Sequence, residues 1–191
     1  KLYEVLKVPV GIINVSWGGS RIEAWMKEDL LRKDFAEIDM SHIDSKVMPA
    51  VSPFKSASVL YNGMLYSVAP FTAKGFIWYQ GCSNRHDPEQ YIRLQPAFVQ
   101  MLRQMWGSED MGFYFTQIAP YQYPSDPTGR GGAEVMWAQA RTLPLIPKSA
   151  MATTLDAGER HCIHPANKKV VGDRLAYLAL SMDYGFDAVN V

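Results

Sequence analysis

Two cysteines in 191 residues, Cys82 and Cys162, are too few for a disulfide framework, and their separation matches no metal motif. Charge of one sign is also missing. Nineteen Lys and Arg balance nineteen Asp and Glu, so no global field draws nucleic acid, an anionic membrane or an acidic substrate, and a partner has to be recognised locally. No apolar run approaches the roughly 20 residues that cross a bilayer as a helix. Neither a nucleic acid nor a membrane is therefore expected as a partner. There is no initiator Met and no signal peptide, and "KLYEVLKVPVGIINV" reads as a helix end running into a strand, so the chain is expected to be a piece of a longer protein whose N-terminal segment is missing.

What remains fits one ordinary domain over residues 1–191, a length at which folding buries about 70% of the unfolded chain's surface. Aromatic rings are plentiful, with five Trp and ten Tyr. Such rings serve as core packing or as flat faces for stacking on sugars.

The apolar, β-branched run 8–15 ("VPVGIINV") predicts a buried strand ending at the glycine loop "SWGGS". A helix from Arg21 with Ile22, Trp25 and Met26 on one face is expected to follow, and then an irregular insert over 27–58 with some helix. "VLYNGMLYSV" reads as a helix and "KGFIWYQ" as a second strand ending in a glycine. Pro88 opens a long helix to Trp106 with Gly107 as its stop, and Pro96 is expected to kink or divide it. "GFYFTQIAPY" predicts a third strand, "AEVMWAQARTL" a helix and "SAMATTLD" a fourth strand. "HPANKKVVGDRLAYLALSMDYG" closes the chain as an amphipathic helix with Val170, Val171, Leu175 and Leu178 on one face.

Apolar strands alternating with helices, without hairpin signals, predict a three-layer α/β/α sandwich around a parallel sheet. Ligands bind such sheets at the carboxyl ends of the strands. Those ends carry "SWGGS", "QGCSN", "APY" and "DAGERHCIHP".

The polar residues gathered there suggest acyl chemistry. His164, fixed by the following Pro165, is a candidate general base, although a loop histidine also serves as a cap or filler. His161 and His164 with Asp156 could begin a metal site, but no fourth ligand follows, and no metal is expected. The Asn84 amide either closes the turn after its strand or donates to a developing oxyanion together with the backbone N–H groups of Gly18 and Gly19. No nucleophile stands out: "GCSNR" lacks the second glycine of a G-x-S-x-G elbow, and Ser83, Cys82 and Ser16 carry no motif.

Together, "PVGIINVSWGGSRIEAW", "LYNGML", "KGFIWYQGCSN" and "IHPANKKVVGDRLA" resemble, in order, the sialate O-acetylesterases and related carbohydrate acetylesterases of the SGNH (GDSL-like) hydrolase superfamily. The resemblance spans nearly the whole chain and is weakest over 27–58. It implies a flavodoxin-like three-layer sandwich and a cofactor-free serine esterase that removes O-acetyl groups from a carbohydrate, sialic acid first among them. The catalytic serine of that family lies in a "GQSNM"-type block before "SWGG", absent from these residues, so the chain alone is expected to be inactive.

By motif, the resemblance makes Gly19 and Asn84 oxyanion donors and His164 the base. The family's Asp three residues before the histidine is His161 here, which leaves Asp156, Glu159 or a backbone carbonyl to orient His164. Gln80, Trp17, Glu23 and Arg141 are expected to shape the substrate pocket or its surroundings, with a Glu23–Arg141 pair or a core role for Trp17 as the alternatives. Cys82 stands where the family commonly has Glu. It and Cys162 each precede a proposed catalytic group by two residues, which suggests a disulfide at the rim. The family also implies a periplasmic or secreted protein. The rival functions are an acetyl-xylan esterase on the same scaffold and a non-catalytic carbohydrate-binding module.

Overall fold

The computed structural model describes residues 1–187. Its centre is a three-stranded parallel sheet in the order β1 (Gly75–Trp78), β2 (Gly112–Thr116), β3 (Ser149–Ala152), with Phe76 opposite Phe113 and Phe115 opposite Met151. The long helices α1 (Pro88–Trp106) and α2 (Gly131–Thr142) make the two crossovers, and α3 (Lys168–Tyr184) follows the last strand. Strand β2 is buried throughout, and its alternation divides the core. Phe113 and Phe115 face α1 and pack with Leu94, Phe98 and Leu102, while Tyr114 faces α3 with Val171, Leu175 and Ala179. Helices thus cover both faces, which is the expected three-layer α/β/α arrangement.

Local chemistry sets the long helices. Pro88 begins α1, Asp87 caps it by accepting from the Gln90 N–H at 2.9 Å, and Gly107 ends it with a left-handed φ of 64°. Asn167 caps α3 and Gly185, φ 68°, closes it. Helix α1 runs unbroken through Pro96, so of the two expected effects, a kink or a division, the division does not occur. Its neighbours hold it there, because Tyr91, Leu94, Gln95, Phe98 and Val99 around the proline are all buried and the packed face outweighs one lost backbone hydrogen bond.

Two further expectations are corrected. Residues 8–15 form no strand: they pair with no ladder, and apart from Val15, which packs half-buried against the core, their apolar side chains are exposed, with Ile12 83% accessible. A strand exists only through a hydrogen-bonded neighbour, and among the described residues this segment has none. The outer edge of β1 is likewise unpaired and Ile77 on it is 64% exposed. The helix expected from Arg21 is a single 3₁₀ turn, Ile22–Trp25, which with Met26 is completely buried. Burial on every side leaves no solvent face for an amphipathic helix.

"VLYNGMLYSV" is helical but opens into a π-turn over Tyr61–Leu65. The stretch 27–58 contains the short helices Glu28–Asp34, Ser41–Asp44 and Pro53–Lys55, which place Leu31, Phe35, Met40 and Ala57 in the core.

Candidate active site

Because all three strands run in parallel, the loops after β1, β2 and β3 leave from one edge of the sheet. Adjacent strands lie about 4.8 Å apart, so the loops carrying Asn84 and His164 start roughly 10 Å from each other, across the loop after β2. Side chains lash the loops together. The Thr154 hydroxyl donates to the Gln117 carbonyl, Arg160 Nε donates to Gln122 Oε1, and the Gln122 N–H donates to the Arg160 carbonyl.

The β1 loop turns at Gly81, whose φ of 154° and ψ of −35° suit only glycine. A Cβ there would also stand 2.9 Å from Ile118 Cγ2 and 3.0 Å from Gln139 Nε2. This turn feeds a 3₁₀ turn, Cys82–Asn84, that drives Asn84 inward, where it is buried.

Every orientation-setting contact of Asn84 agrees. Its Oδ1 accepts from the Ile22 N–H at 3.1 Å and from Gln80 Nε2 at 2.8 Å, while its Nδ2 donates to Glu23 Oε2 at 2.8 Å. The amide cannot flip without reversing all three. One N–H of Nδ2 remains without a partner among the described residues. The "SWGGS" turn is tied to the same loop, since the Ser83 hydroxyl donates to the Gly19 carbonyl at 2.7 Å and Gln80 Nε2 to the Ser20 carbonyl. Gly19 has a φ of 73°, and its N–H is also unpartnered among the described residues. The two groups expected to hold an oxyanion therefore stand on loops joined directly to each other.

Gln80 is a connector. Besides Asn84 and Ser20 it meets Tyr91, whose hydroxyl donates to Gln80 Oε1 at 3.2 Å, and Gln139, whose Nε2 donates to the Gln80 carbonyl. Glu23 is buried, with Arg21 Nη1 3.7 Å away, and not Arg141, as its nearest cation. Burial pushes the Glu23 carboxyl up, against the opposing effect of the Asn84 hydrogen bond. Trp17 is 52% exposed and stacks on Phe54, so it presents a flat face to solvent rather than filling the core. Arg141 is not brought into this cluster. It lies near the end of α2, about 15 Å along the helix from its start, with its guanidinium over the Trp137 ring.

On the β3 loop, His164 is exposed, and its imidazole makes no hydrogen bond among the described residues. Asp156 is 65% exposed and both of its oxygens accept from Arg174 at 2.7 Å, which holds its carboxyl below the usual range. That bidentate pairing stands against Asp156 orienting His164. Glu159 accepts from the Ala166 N–H and shapes the same loop. The suggested disulfide is absent, as both thiols are free. Cys162 instead donates to the His164 carbonyl, and Cys82 is half-buried beside Tyr123, its thiol pushed up by burial. Among the described residues no three His, Cys, Asp or Glu side chains stand together as metal ligands.

None of the nucleophile candidates is activated. Ser83 is bonded to Gly19, Ser16 to Asn14 Oδ1, and the half-buried Cys82 thiol, pushed up by burial, is a poor source of thiolate. Sequence reasoning also missed Gln139, which accepts from the Ile118 N–H while donating to Gln80 and so joins the β1 and β2 loops. It shares a stripe with Val135, Ala138 and Thr142, spaced i, i+3, i+4 and i+7, all buried. A lone amide on an apolar stripe was the available signal.

Helices on both faces of a parallel sheet give the architecture of the SGNH hydrolases. The chain belongs to the carbohydrate esterase, sialic acid-specific acetylesterase family, whose model matches residues 2–181. It is 30% identical over 200 residues to the sialate O-acetylesterase of Pongo abelii and equally to that of Homo sapiens, covering 96% of this chain and 38% of each relative. A carbohydrate acetylesterase from Xanthomonas citri, known from its crystal structure, superposes with a TM-score of 0.82 at 32% identity, over 97% of this chain and 39% of that one. The chain thus spans about two fifths of the length of the relatives it matches.

Proposed function

We propose that the protein to which this chain belongs is a serine esterase that removes O-acetyl groups from a carbohydrate, with O-acetylated sialic acid as its substrate. The reading rests chiefly on the Asn84 amide: three partners fix its orientation and leave one N–H free to donate, on a loop that Ser83 ties to the Gly19 turn, which suits an oxyanion hole.

A serine supplied by polypeptide outside these 191 residues attacks the acetyl carbonyl. His164 takes the serine proton as the Oγ–C bond forms, and Asn84 and Gly19 stabilise the negative oxygen. The acyl C–O bond to the sugar then breaks, and the sugar oxygen takes the proton from His164. A water, deprotonated by His164, attacks the acyl-enzyme and releases acetate and free serine. No cofactor takes part.

The committed hydroxyls of Ser83 and Ser16 support an external nucleophile, as does the exposed apolar surface of residues 8–15 and Ile77, which suits a covering segment of the same protein. Trp17 offers its exposed ring to a sugar face. Export to the periplasm or the cell exterior belongs to the same reading.

A substrate panel tests it. The full-length protein should release acetate from O-acetylated sialic acid at least tenfold faster, in kcat/KM, than from acetylated xylan. The reverse order would establish the xylan esterase, and sugar binding with no acetate released from either would establish a non-catalytic module.

A further inference from the structure

Asn84 can serve an oxyanion only if its amide presents nitrogen, not oxygen, to the reacting group. A flipped amide would aim a lone pair at the developing negative charge. Two donors, the Ile22 N–H and Gln80 Nε2, hold Oδ1, but only Glu23 Oε2 accepts from Nδ2. Glu23 is itself held in place. It lies in the buried turn Ile22–Trp25, its carbonyl accepts from the Ser58 and Met26 N–H groups, and Arg21 is its nearest cation, through a half-exposed side chain. A carboxyl buried this deeply is costly to keep without a partner, and its position in the core is otherwise occupied by Ile22, Ala24, Trp25 and Met26.

We infer that Glu23 is a positioning residue for the esterase reaction: by accepting one N–H of Asn84 it locks the amide so that the other N–H faces the acyl oxygen. The inference rests on the reading of Asn84 as an oxyanion donor. Its substance is the registration of the amide rather than the carboxylate's charge, since a negative charge beneath the hole would oppose the oxyanion. Contact with substrate is not part of the role, because Glu23 is buried and bonded to Asn84.

The test is a double-mutant cycle in the full-length protein, with kcat and KM measured on p-nitrophenyl acetate and folded fraction followed by circular dichroism. Glu23→Met keeps the volume and removes the acceptor. It should lower kcat about thirtyfold or more with KM within about twofold. Glu23→Gln, which keeps an acceptor oxygen without the charge, should recover at least a third of the wild-type kcat. Glu23→Met added to Asn84→Ala should cost no further activity, because the amide it registers is gone.

An additive loss in the double variant, or a Glu23→Gln kcat as low as that of Glu23→Met, would overturn the inference while leaving Asn84 as a donor. Should Glu23→Met fail to fold, the Glu23→Gln result still decides between registration and charge. A wild-type kcat in Asn84→Ala would overturn both the inference and the reading beneath it.

Discussion

Replacing His164 by alanine in the full-length protein is expected to cut acetylesterase turnover about a thousandfold or more while the protein keeps its fold. General base catalysis by a positioned imidazole contributes on the order of 10²–10⁴ in rate, and in the proposed mechanism one imidazole serves both half-reactions, so acylation and deacylation would be lost together. The variant is structurally mild because the side chain is exposed and makes no hydrogen bond among the described residues. The Cys162 thiol donates to the backbone carbonyl of His164, a contact that alanine preserves. Stability should therefore stay within about 1 kcal/mol of wild type, as for other exposed substitutions. Acetate release from O-acetylated sialic acid, followed alongside a denaturant melt, separates the two effects. Unchanged turnover in a folded variant would remove His164 from the mechanism.

Asn84→Ala should lower kcat about 10²–10³-fold, equivalent to about 3–4 kcal/mol of transition-state stabilisation. Unlike the histidine change, it also carries a structural penalty. The Ile22 N–H and the Glu23 carboxyl both lose their buried partner, at about 1–3 kcal/mol. Activity therefore has to be expressed per folded molecule, well below the denaturation midpoint. The two losses have different signatures: a structural defect removes active molecules and is reversed by cooling or osmolyte, whereas loss of an oxyanion donor persists in every folded molecule.

The architecture was legible where the sequence pattern and its partner lie in the same chain. Runs such as "GFYF" find β1 and β3 on either side, and Asp87, Pro88 and Gly107 bound α1 with their own local chemistry. The segment 8–15 has the same apolar, β-branched pattern but no ladder partner among the described residues, so composition alone could not make it a strand. Pro96 shows the opposite imbalance, where a strong local signal yields to packing around Phe98 and Tyr91.

At the site, the motifs singled out Asn84, Gly19 and His164, but only Asn84 closely follows a strand end, behind the Gly81 turn after β1. Connections between side chains distant in sequence were not legible. Glu23 meets Asn84 across 61 positions and Gln139 meets Gln80 across 59, and neither pairing leaves a trace in local periodicity. Asp156 illustrates the converse error, since a carboxylate at a strand end looks catalytic until Arg174, on the following helix, is seen to occupy both of its oxygens.

The most direct measurement is a crystal structure of the full-length protein inactivated by an alkyl phosphonate, whose phosphoryl oxygen imitates the oxyanion on the acylated nucleophile. That oxygen is expected within about 3 Å of both Asn84 Nδ2 and the Gly19 nitrogen, with the His164 imidazole hydrogen-bonded to the phosphonylated serine oxygen. An adduct formed on a residue far from this rim, or a phosphoryl oxygen held by neither group, would contradict the mechanism.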